Sequence, residues 1–236
     1  MPRTYVSDEL THFVGRGLPT DDARYELLAD IILRNGCLKN PKHPGSRYGR
    51  LQSDTRCGIS HNNAYQGNYT CFCDIPPSSL GIHMKKYSPF GIAFRKNFLV
   101  AQGTSPVFYV AKSAQIGIGK SKADAFDEYF GMYHSLLTQE TPGEASKFAS
   151  QFGELAGFLD WEVFSHLKVL DPACSDDDAA NYYMEREWRV IGEVHSVLAD
   201  VCRIIVPAAY RSRLQQELPA YCGVVTSSDS EEIAGE

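Results

Sequence analysis

The chain has 236 residues, of which 43% are hydrophobic and 22% are charged, and this composition excludes a largely disordered protein. The length suits one sizeable core rather than two full domains. The formal net charge of −6 disfavours broad binding to a phosphate backbone. The N-terminus has no apolar signal core and the chain has no long apolar run, so we expect a cytoplasmic protein without a membrane span.

The first part of the chain predicts a strand, a helix and a long loop. Residues 10–14 have strand composition, and residues 20–34 carry the apolar stripe of a helix that Thr20 or Asp21 caps and Gly36 ends. Residues 35–68 are rich in Gly, Pro, Asn, Ser and Arg, which predicts a loop that covers a ligand site. The basic stretch 39–56 is the best local candidate for a nucleic-acid contact; the alternative is a solvated loop.

The rest of the chain predicts a mixture of strands and helices. We expect strands at residues 69–74, 91–94, 107–111, 187–194 and 201–206, and helices at 78–86, 120–138, 144–170 and 208–218. Helices and strands are segregated rather than alternating, which predicts an α+β fold with small antiparallel or mixed sheets flanked by helices. One domain is expected over residues 1–225, followed by a disordered acidic tail at 226–236.

Two motifs are better explained by structure than by chemistry. Residues 116–121 (IGIGKS) are similar to a phosphate loop, but Ala114 stands where that motif needs its first glycine. Cys71 and Cys73 are one residue too close for the usual zinc half-site, and on a strand both thiols face the same buried side. The seven Cys are therefore interpreted as free thiols, and no metal site is predicted.

Several segments, in this order, resemble the AbiGi family of bacterial abortive-infection proteins. They are Thr11-His12-Phe13, residues 71–76 (CFCDIP), 83–96 (HMKKYSPFGIAFRK), 106–110 (PVFYV) and 182–190 (YYMEREWRV). Ser88-Pro89 departs from the family, which often has glycine there. The resemblance implies phage defence, sometimes as an antitoxin beside a nucleotidyltransferase-like toxin, and therefore a cognate toxin, antitoxin or other defence-system partner.

A more distant resemblance is to the DarT-type ADP-ribosyltransferases, which modify DNA bases with NAD. It is carried by Thr11-His12 and by residues 36–38 (GCL), 89–95 (PFGIAFR), 159–161 (LDW) and 187–190 (EWRV). This resemblance implies an ADP-ribosyltransferase-like fold, NAD as co-substrate, and a nucleic acid or protein as the acceptor of ADP-ribose.

On that resemblance, Glu187 and Arg95 are the candidate catalytic residues. Cleavage of the nicotinamide–ribose bond forms an oxocarbenium-like centre, which the carboxylate of Glu187 would stabilise while Arg95 holds the pyrophosphate or the acceptor. The candidate NAD-binding residues are His12, Phe13, Tyr87, Phe90 and Lys96. The structural alternatives are that Glu187 pairs with Arg189 or Arg203, and that His12 is only a hydrogen-bonded strand residue.

Two other functions remain open from the sequence. The first is a non-enzymatic antitoxin or adaptor that binds and restrains a partner toxin. The second is a metal-dependent nuclease effector that uses Asp54, Asp74 or Glu187 to hold its ion. The sequence lacks the closely spaced acidic and Lys residues that we would expect of such a nuclease.

Overall fold

The computed structural model describes residues 7–39, 51–117, 119–138, 146–175, 178 and 181–229. Its strands are β1 (Glu9–Phe13), β2 (Cys37–Leu38), β3 (Gln52–Ser53), β4 (Tyr65–Gln66), β5 (Tyr69–Cys73), β6 (Gly91–Arg95), β7 (Ser105–Pro106), β8 (Phe108–Ala111), β9 (Leu167–Leu170), β10 (Glu187–Ile191), β11 (Val194–His195), β12 (Val201–Val206) and β13 (Val224–Ser227). Its α-helices are α1 (Asp21–Ala29), α2 (Gly81–Lys86), α3 (Lys96–Ala101), α4 (Lys122–Leu137), α5 (Ser146–Phe158) and α6 (Ala208–Glu217).

A seven-stranded sheet organises the fold. Its strand order is β13-β12-β6-β1-β5-β10-β7, and its neighbours are antiparallel except for the parallel pair β12 and β13. The described residues also form three two-stranded ribbons, β2 with β11, β3 with β4, and β8 with β9. The chain is thus an α+β domain with a mixed sheet, as the segregated elements predict. No helix among the described residues has the length and apolarity needed to span a bilayer.

The ends of the first helix confirm the capping prediction. The Thr20 side chain accepts a hydrogen bond from the Ala23 amide at 3.2 Å, which satisfies one of the donors left over at a helix start. After Ala29 the helix widens into a π-helical turn that ends at Gly36, whose φ of 56° lies in the left-handed region.

Three predictions need correction or limits. The predicted helix at 144–170 is wrong at its end, because Leu167–Leu170 is strand β9 and pairs in parallel with β8. The predicted tail begins inside strand β13, which continues to Ser227; residues 230–236 lie outside the described residues. The predicted loop at 35–68 contains the short strands β2, β3 and β4, and most of its basic stretch (40–50) is not described.

The principal core lies where α1 and α6 pack with strands β1, β6 and β12. Its fully buried members include Leu10, Leu28, Phe90, Phe94 and Ile204, which are 0% exposed. A second apolar cluster joins α4 to β9 through Ala123, Phe130, Leu167 and Val169.

Candidate functional site

A cavity opens where strands β1 and β5 part. The two strands share a single pair of partners, Thr11 and Cys73, whereas β1 and β6 share five. Beyond that pair, the Nδ1 atom of His12 lies 2.7 Å from the carbonyl oxygen of Cys71. The His12 side chain therefore makes the hydrogen bond to this carbonyl. The separation leaves a cavity of about 330 Å³, within the range of small-molecule sites.

The side chains of three adjacent strands line this cavity. The register places Glu187 opposite Cys73 and Arg189 opposite Cys71, so these four residues share one face of the sheet. The remaining lining residues come from β1 and the turn after it, from β5, from the segment before β6, and from β9 and the turn before β10. They are Thr11, His12, Phe13, Arg16, Phe72, Tyr87, Lys168, Tyr182 and Glu185.

Glu187 is an ionised carboxylate with both oxygens paired. Its Oε1 accepts from Nε and Nη2 of Arg189 at 2.9 and 2.8 Å, and its Oε2 lies 2.5 Å from Nζ of Lys168. Only 4% of Glu187 is exposed. Burial alone raises the pKa of a carboxyl group, but the charges of Arg189 and Lys168 outweigh it and lower the pKa of Glu187 to about 2.

Glu185 extends the same network. Its Oε1 accepts from Nζ of Lys86 at 3.0 Å and from the hydroxyl of Tyr87, and its Oε2 accepts from Nζ of Lys168 at 3.3 Å. Burial opposes ionisation here too, but Lys168 and these hydrogen bonds hold the pKa of Glu185 below its ordinary value. Lys168 therefore bridges two carboxylates, which raise its own pKa against the effect of burial.

Aromatic rings form the apolar wall of the cavity. The rings of Phe13 and Tyr87 stack with centroids 6.0 Å apart and 13° between their planes. The guanidinium of Arg16 lies 5.0 Å from the centre of the Tyr87 ring, and Nζ of Lys168 lies 4.4 Å from that of Tyr182. Such a wall suits a ligand with a planar ring, which could bind between an aromatic face and a cation.

His12 contributes a neutral imidazole. Desolvation lowers the pKa of His12, so the ring carries no charge at neutral pH. A carbonyl oxygen can only accept a hydrogen bond, so the proton of the neutral ring sits on Nδ1, which donates to Cys71. Nε2 is then the acceptor atom of this cavity-lining residue.

Four of the seven residues predicted for the site line this cavity: His12, Phe13, Tyr87 and Glu187. They come from segments far apart in the chain. Glu187 also forms the predicted alternative pair with Arg189, whereas Arg203 pairs with Glu9 at 2.8 Å.

The other three predicted residues lie elsewhere. Phe90 is fully buried in the principal core, with its ring 5.2 Å from that of Tyr210. Arg95 is exposed at the end of β6. Nζ of Lys96 lies 2.8 Å from Oδ2 of Asp74. None of the three is among the residues that line the cavity.

The sequence also named Asp54 and Asp74 as possible ligands of a nuclease metal. Asp54 is held by its neighbour Arg56, with Nε 2.8 Å from Oδ1. Asp74 is paired with Lys96, and neither acid lines the cavity that contains Glu187.

The prediction missed all the other charged residues that line the cavity, namely Arg16, Lys168, Glu185 and Arg189, and it also missed Tyr182. Lys168 gave no signal because the prediction placed it in a helix, whereas strand β9 carries it to the carboxylates. One signal was available: Glu187 and Arg189 alternate, and this spacing places their charges on one side of β10. Glu185 lies in the 3-10 turn just before that strand.

Comparison with known proteins gives a family and nothing closer. Neither the curated proteins nor the solved structures contain a match to this chain. A family model does match, over residues 62–217, about two thirds of the chain; it is described as "Putative abortive phage resistance protein AbiGi, antitoxin". The matched region contains β5, β9 and β10, and thus most of the cavity, while His12 and Phe13 precede it. The chain belongs to the AbiGi family of abortive-infection proteins.

Proposed function

We propose that this protein acts in abortive-infection defence as an antitoxin, by binding and restraining a partner toxin. The observation that carries the proposal is the family match, whose description names an antitoxin. The acidic character of the chain, with a net charge of −6, favours a basic partner and would speed their encounter.

An apolar stripe on α4 supports a protein partner. Tyr129, Met132 and Leu136 are 56%, 53% and 53% exposed, and their spacing places them along one face of the helix. The face that packs into the protein is a different one, which carries Ala123 and Phe130. Exposed apolar stripes of this kind are typical of surfaces that bind another protein.

Helix α5 adds to this apolar surface. The hydroxyl of Tyr133 on α4 donates to the carbonyl of Ala156 on α5 at 2.9 Å, so the two helices are in contact. The residues on either side of that carbonyl include Leu155 and Phe158, which are 53% and 58% exposed. The α4–α5 pair is therefore the surface that we assign to the toxin.

Growth rescue tests the antitoxin proposal. A candidate toxin, taken from the genes next to the gene for this chain, is expressed alone or with the chain. The wild-type chain is expected to restore growth and to co-purify with that toxin. Met132→Lys/Leu136→Lys is expected to abolish both effects, because binding the toxin would bury two lysine charges in the interface. The matched control is Ile82→Lys/Val100→Lys, which changes residues 47% and 52% exposed on α2 and α3. Full rescue by the α4 variant, or none by the wild type, would contradict the proposal.

We infer a second candidate function, NAD binding in the cavity, because His12, Tyr87 and Glu187 line one cavity. The Phe13–Tyr87 wall would stack on the nicotinamide ring, and Glu187 would hydrogen-bond the ribose and stabilise the oxocarbenium-like centre. This function ranks second because both oxygens of Glu187 already pair with Arg189 and Lys168. A ribose hydroxyl would have to replace one of those contacts.

Labelled NAD tests the second function. Wild-type protein and Glu187→Gln are incubated with adenylate-labelled NAD and a host or phage lysate, with Arg211→Gln, an exposed α6 residue, as the control. Transfer of label by the wild type and the control, but not by Glu187→Gln, would support the transferase. If calorimetry detects no NAD binding at millimolar concentration, the second candidate function is wrong. The antitoxin proposal predicts that Glu187→Gln still rescues growth, so the two functions fail independently.

A further inference from the structure

We propose that Cys37, Glu193 and His195 form a zinc site in which the fourth position is open to solvent. The three residues are distinct from those that line the cavity described above, and the proposal does not depend on either proposed function. Within the described part of the chain, they are the one group of three potential ligands close enough together to share an ion.

The distances between the ligand atoms suit a tetrahedral ion. Sγ of Cys37 lies 3.5 Å from Oε2 of Glu193, and Nε2 of His195 lies 3.6 Å from the same oxygen. All three ligand atoms lie within 4.8 Å of one another. Zinc bonds of about 2.0–2.3 Å at tetrahedral angles place ligand atoms about 3.3–3.6 Å apart. Small side-chain rotations would therefore seat the ion.

The fold fixes the backbone of these residues before any ion arrives. Cys37 and His195 are cross-strand partners in the β2–β11 ribbon. The side chain of Gln102 donates to the carbonyl of His195 at 2.8 Å and accepts from its amide at 3.1 Å. The Ser196 amide donates to the carbonyl of Gly36 at 2.7 Å. Ligands on a braced ribbon lose little freedom on binding, which favours affinity.

A close backbone approach explains why glycine precedes Cys37. Gly36 has a φ of 56°, and a Cβ atom there would lie 2.4 Å from the carbonyl oxygen of Ser196. The two chain segments can come this close because residue 36 lacks a side chain. The approach brings Cys37 to Glu193 although 156 residues separate them, which is why sequence spacing predicted no metal site.

The donor set and its exposure indicate the ion and its coordination. Thiolate and imidazole together favour zinc over magnesium or calcium, which prefer oxygen ligands. Cys37 is 9% exposed, whereas the side chain of His195 is 72% exposed, so one side of the group faces solvent. Three protein ligands with a solvent-facing side leave the fourth position to water. The alternative without an ion is a thiol–carboxylate hydrogen bond beside a weak His–Glu pair.

Metal titration tests the site on the full-length protein. Protein freed of metal with a chelator is titrated with zinc, and we expect one ion bound per chain with a dissociation constant at or below the micromolar range. Cobalt is then used as a spectroscopic probe, because a cysteine ligand gives a thiolate-to-cobalt charge-transfer band in the near ultraviolet.

Two ligand variants and two controls distinguish specific zinc coordination by these residues from adventitious binding. Cys37→Ser should remove the charge-transfer band, and His195→Gln, which alters an exposed side chain, should weaken zinc binding at least about tenfold. Cys222→Ser and His61→Gln change a thiol and an imidazole elsewhere and should leave binding intact. No stoichiometric binding by the wild type would overturn the proposal. So would undiminished binding by His195→Gln, which keeps the test valid even if Cys37→Ser fails to fold.

Discussion

The two halves of the seven-stranded sheet, on either side of β1, differ in the side chains that they bury. On one side, β6 contributes Ile92, Ala93 and Phe94, each 0% exposed, to a purely apolar core. On the other side, β10 buries Glu187 and Arg189, whose side chains are 5% and 11% exposed. Both halves are largely buried. The cavity half concentrates several ionised side chains around Glu187, whereas the other half has the Arg203–Glu9 pair beside its apolar core.

The comparison separates what the fold needs from what a site needs. Apolar packing is the main source of stability in the apolar half. Similar packing would serve the other half at least as well, because buried ion pairs often contribute no more than apolar residues of the same volume. We therefore propose that the charges around the cavity are kept for a ligand or partner that they contact. Three predictions sharpen this contrast, in order of decreasing effect.

The largest effect is expected from Arg189→Met. The substitution leaves Glu187 buried with Lys168 as its remaining cationic partner, and it also removes the hydrogen bond from Arg189 to the carbonyl of Ser165. Breaking a buried pair from one side costs about 3–5 kcal/mol of unfolding free energy. Chemical denaturation of the wild type and the variant measures this loss.

The double variant Glu187→Gln/Arg189→Met is the internal control for that measurement. Because it removes both partners, it should cost less than the sum of the two single changes. A double variant as stable as the wild type would mean that the pair is kept for function. Strictly additive losses would show that the two side chains are not coupled, contrary to their 2.8 Å contact.

The second prediction concerns pH. The pKa of Glu187 falls from its ordinary value of 4.5 to about 2 in the folded protein, so the ionised form favours folding. This contribution is fully present above pH 4.5 and is lost as the pH falls toward 2. It is on the order of 3 kcal/mol, since one pKa unit corresponds to about 1.4 kcal/mol. Denaturation curves between pH 2 and pH 6 measure it.

A variant from each half of the sheet makes the pH experiment decisive. Glu187→Gln should reduce the dependence of stability on pH across this window by the contribution of Glu187, while Glu185, whose pKa is also lowered, retains part of it. Phe94→Leu, in the apolar half, should lower stability by about 1–2 kcal/mol at every pH and leave the slope unchanged. Equal slopes in all three proteins would assign the acid sensitivity to other carboxyl groups.

Local sequence signals predicted the parts of this fold that depend on neighbouring residues. The cap at Thr20 and the left-handed Gly36 follow from helix-end chemistry alone, and the structure has both. Strand β9 was missed because the apolar spacing of the preceding helix continues into it. Its pairing with β8 depends on a segment far away in the sequence, which no local pattern reports.

The predicted site residues divide in the same way, into those that local sequence places correctly and those whose position depends on strand pairing. His12, Phe13 and Glu187 lie on strands that the sequence predicts, and they meet in the cavity. Phe90 and Arg95 belong to strand β6 or its approach, in the apolar half, where one ring packs into the core and the other side chain points to solvent. Which half of a sheet a strand joins is decided by pairing, so a motif on a single strand cannot predict it.

The smallest effect is expected from Tyr87→Phe, which removes the hydroxyl that donates to Glu185 while keeping the ring that stacks on Phe13. A hydrogen bond to a charged group contributes about 1.5–3 kcal/mol, and the lower figure applies because Lys86 and Lys168 still neutralise Glu185. Denaturation midpoints of Tyr87→Phe and Tyr87→Leu separate the two contributions. If Phe costs about 1.5 kcal/mol and Leu clearly more, both hydroxyl and ring stabilise the cavity wall. If neither costs stability, the residue is kept for what enters the cavity, and the charged half of the sheet is a binding site rather than a second core.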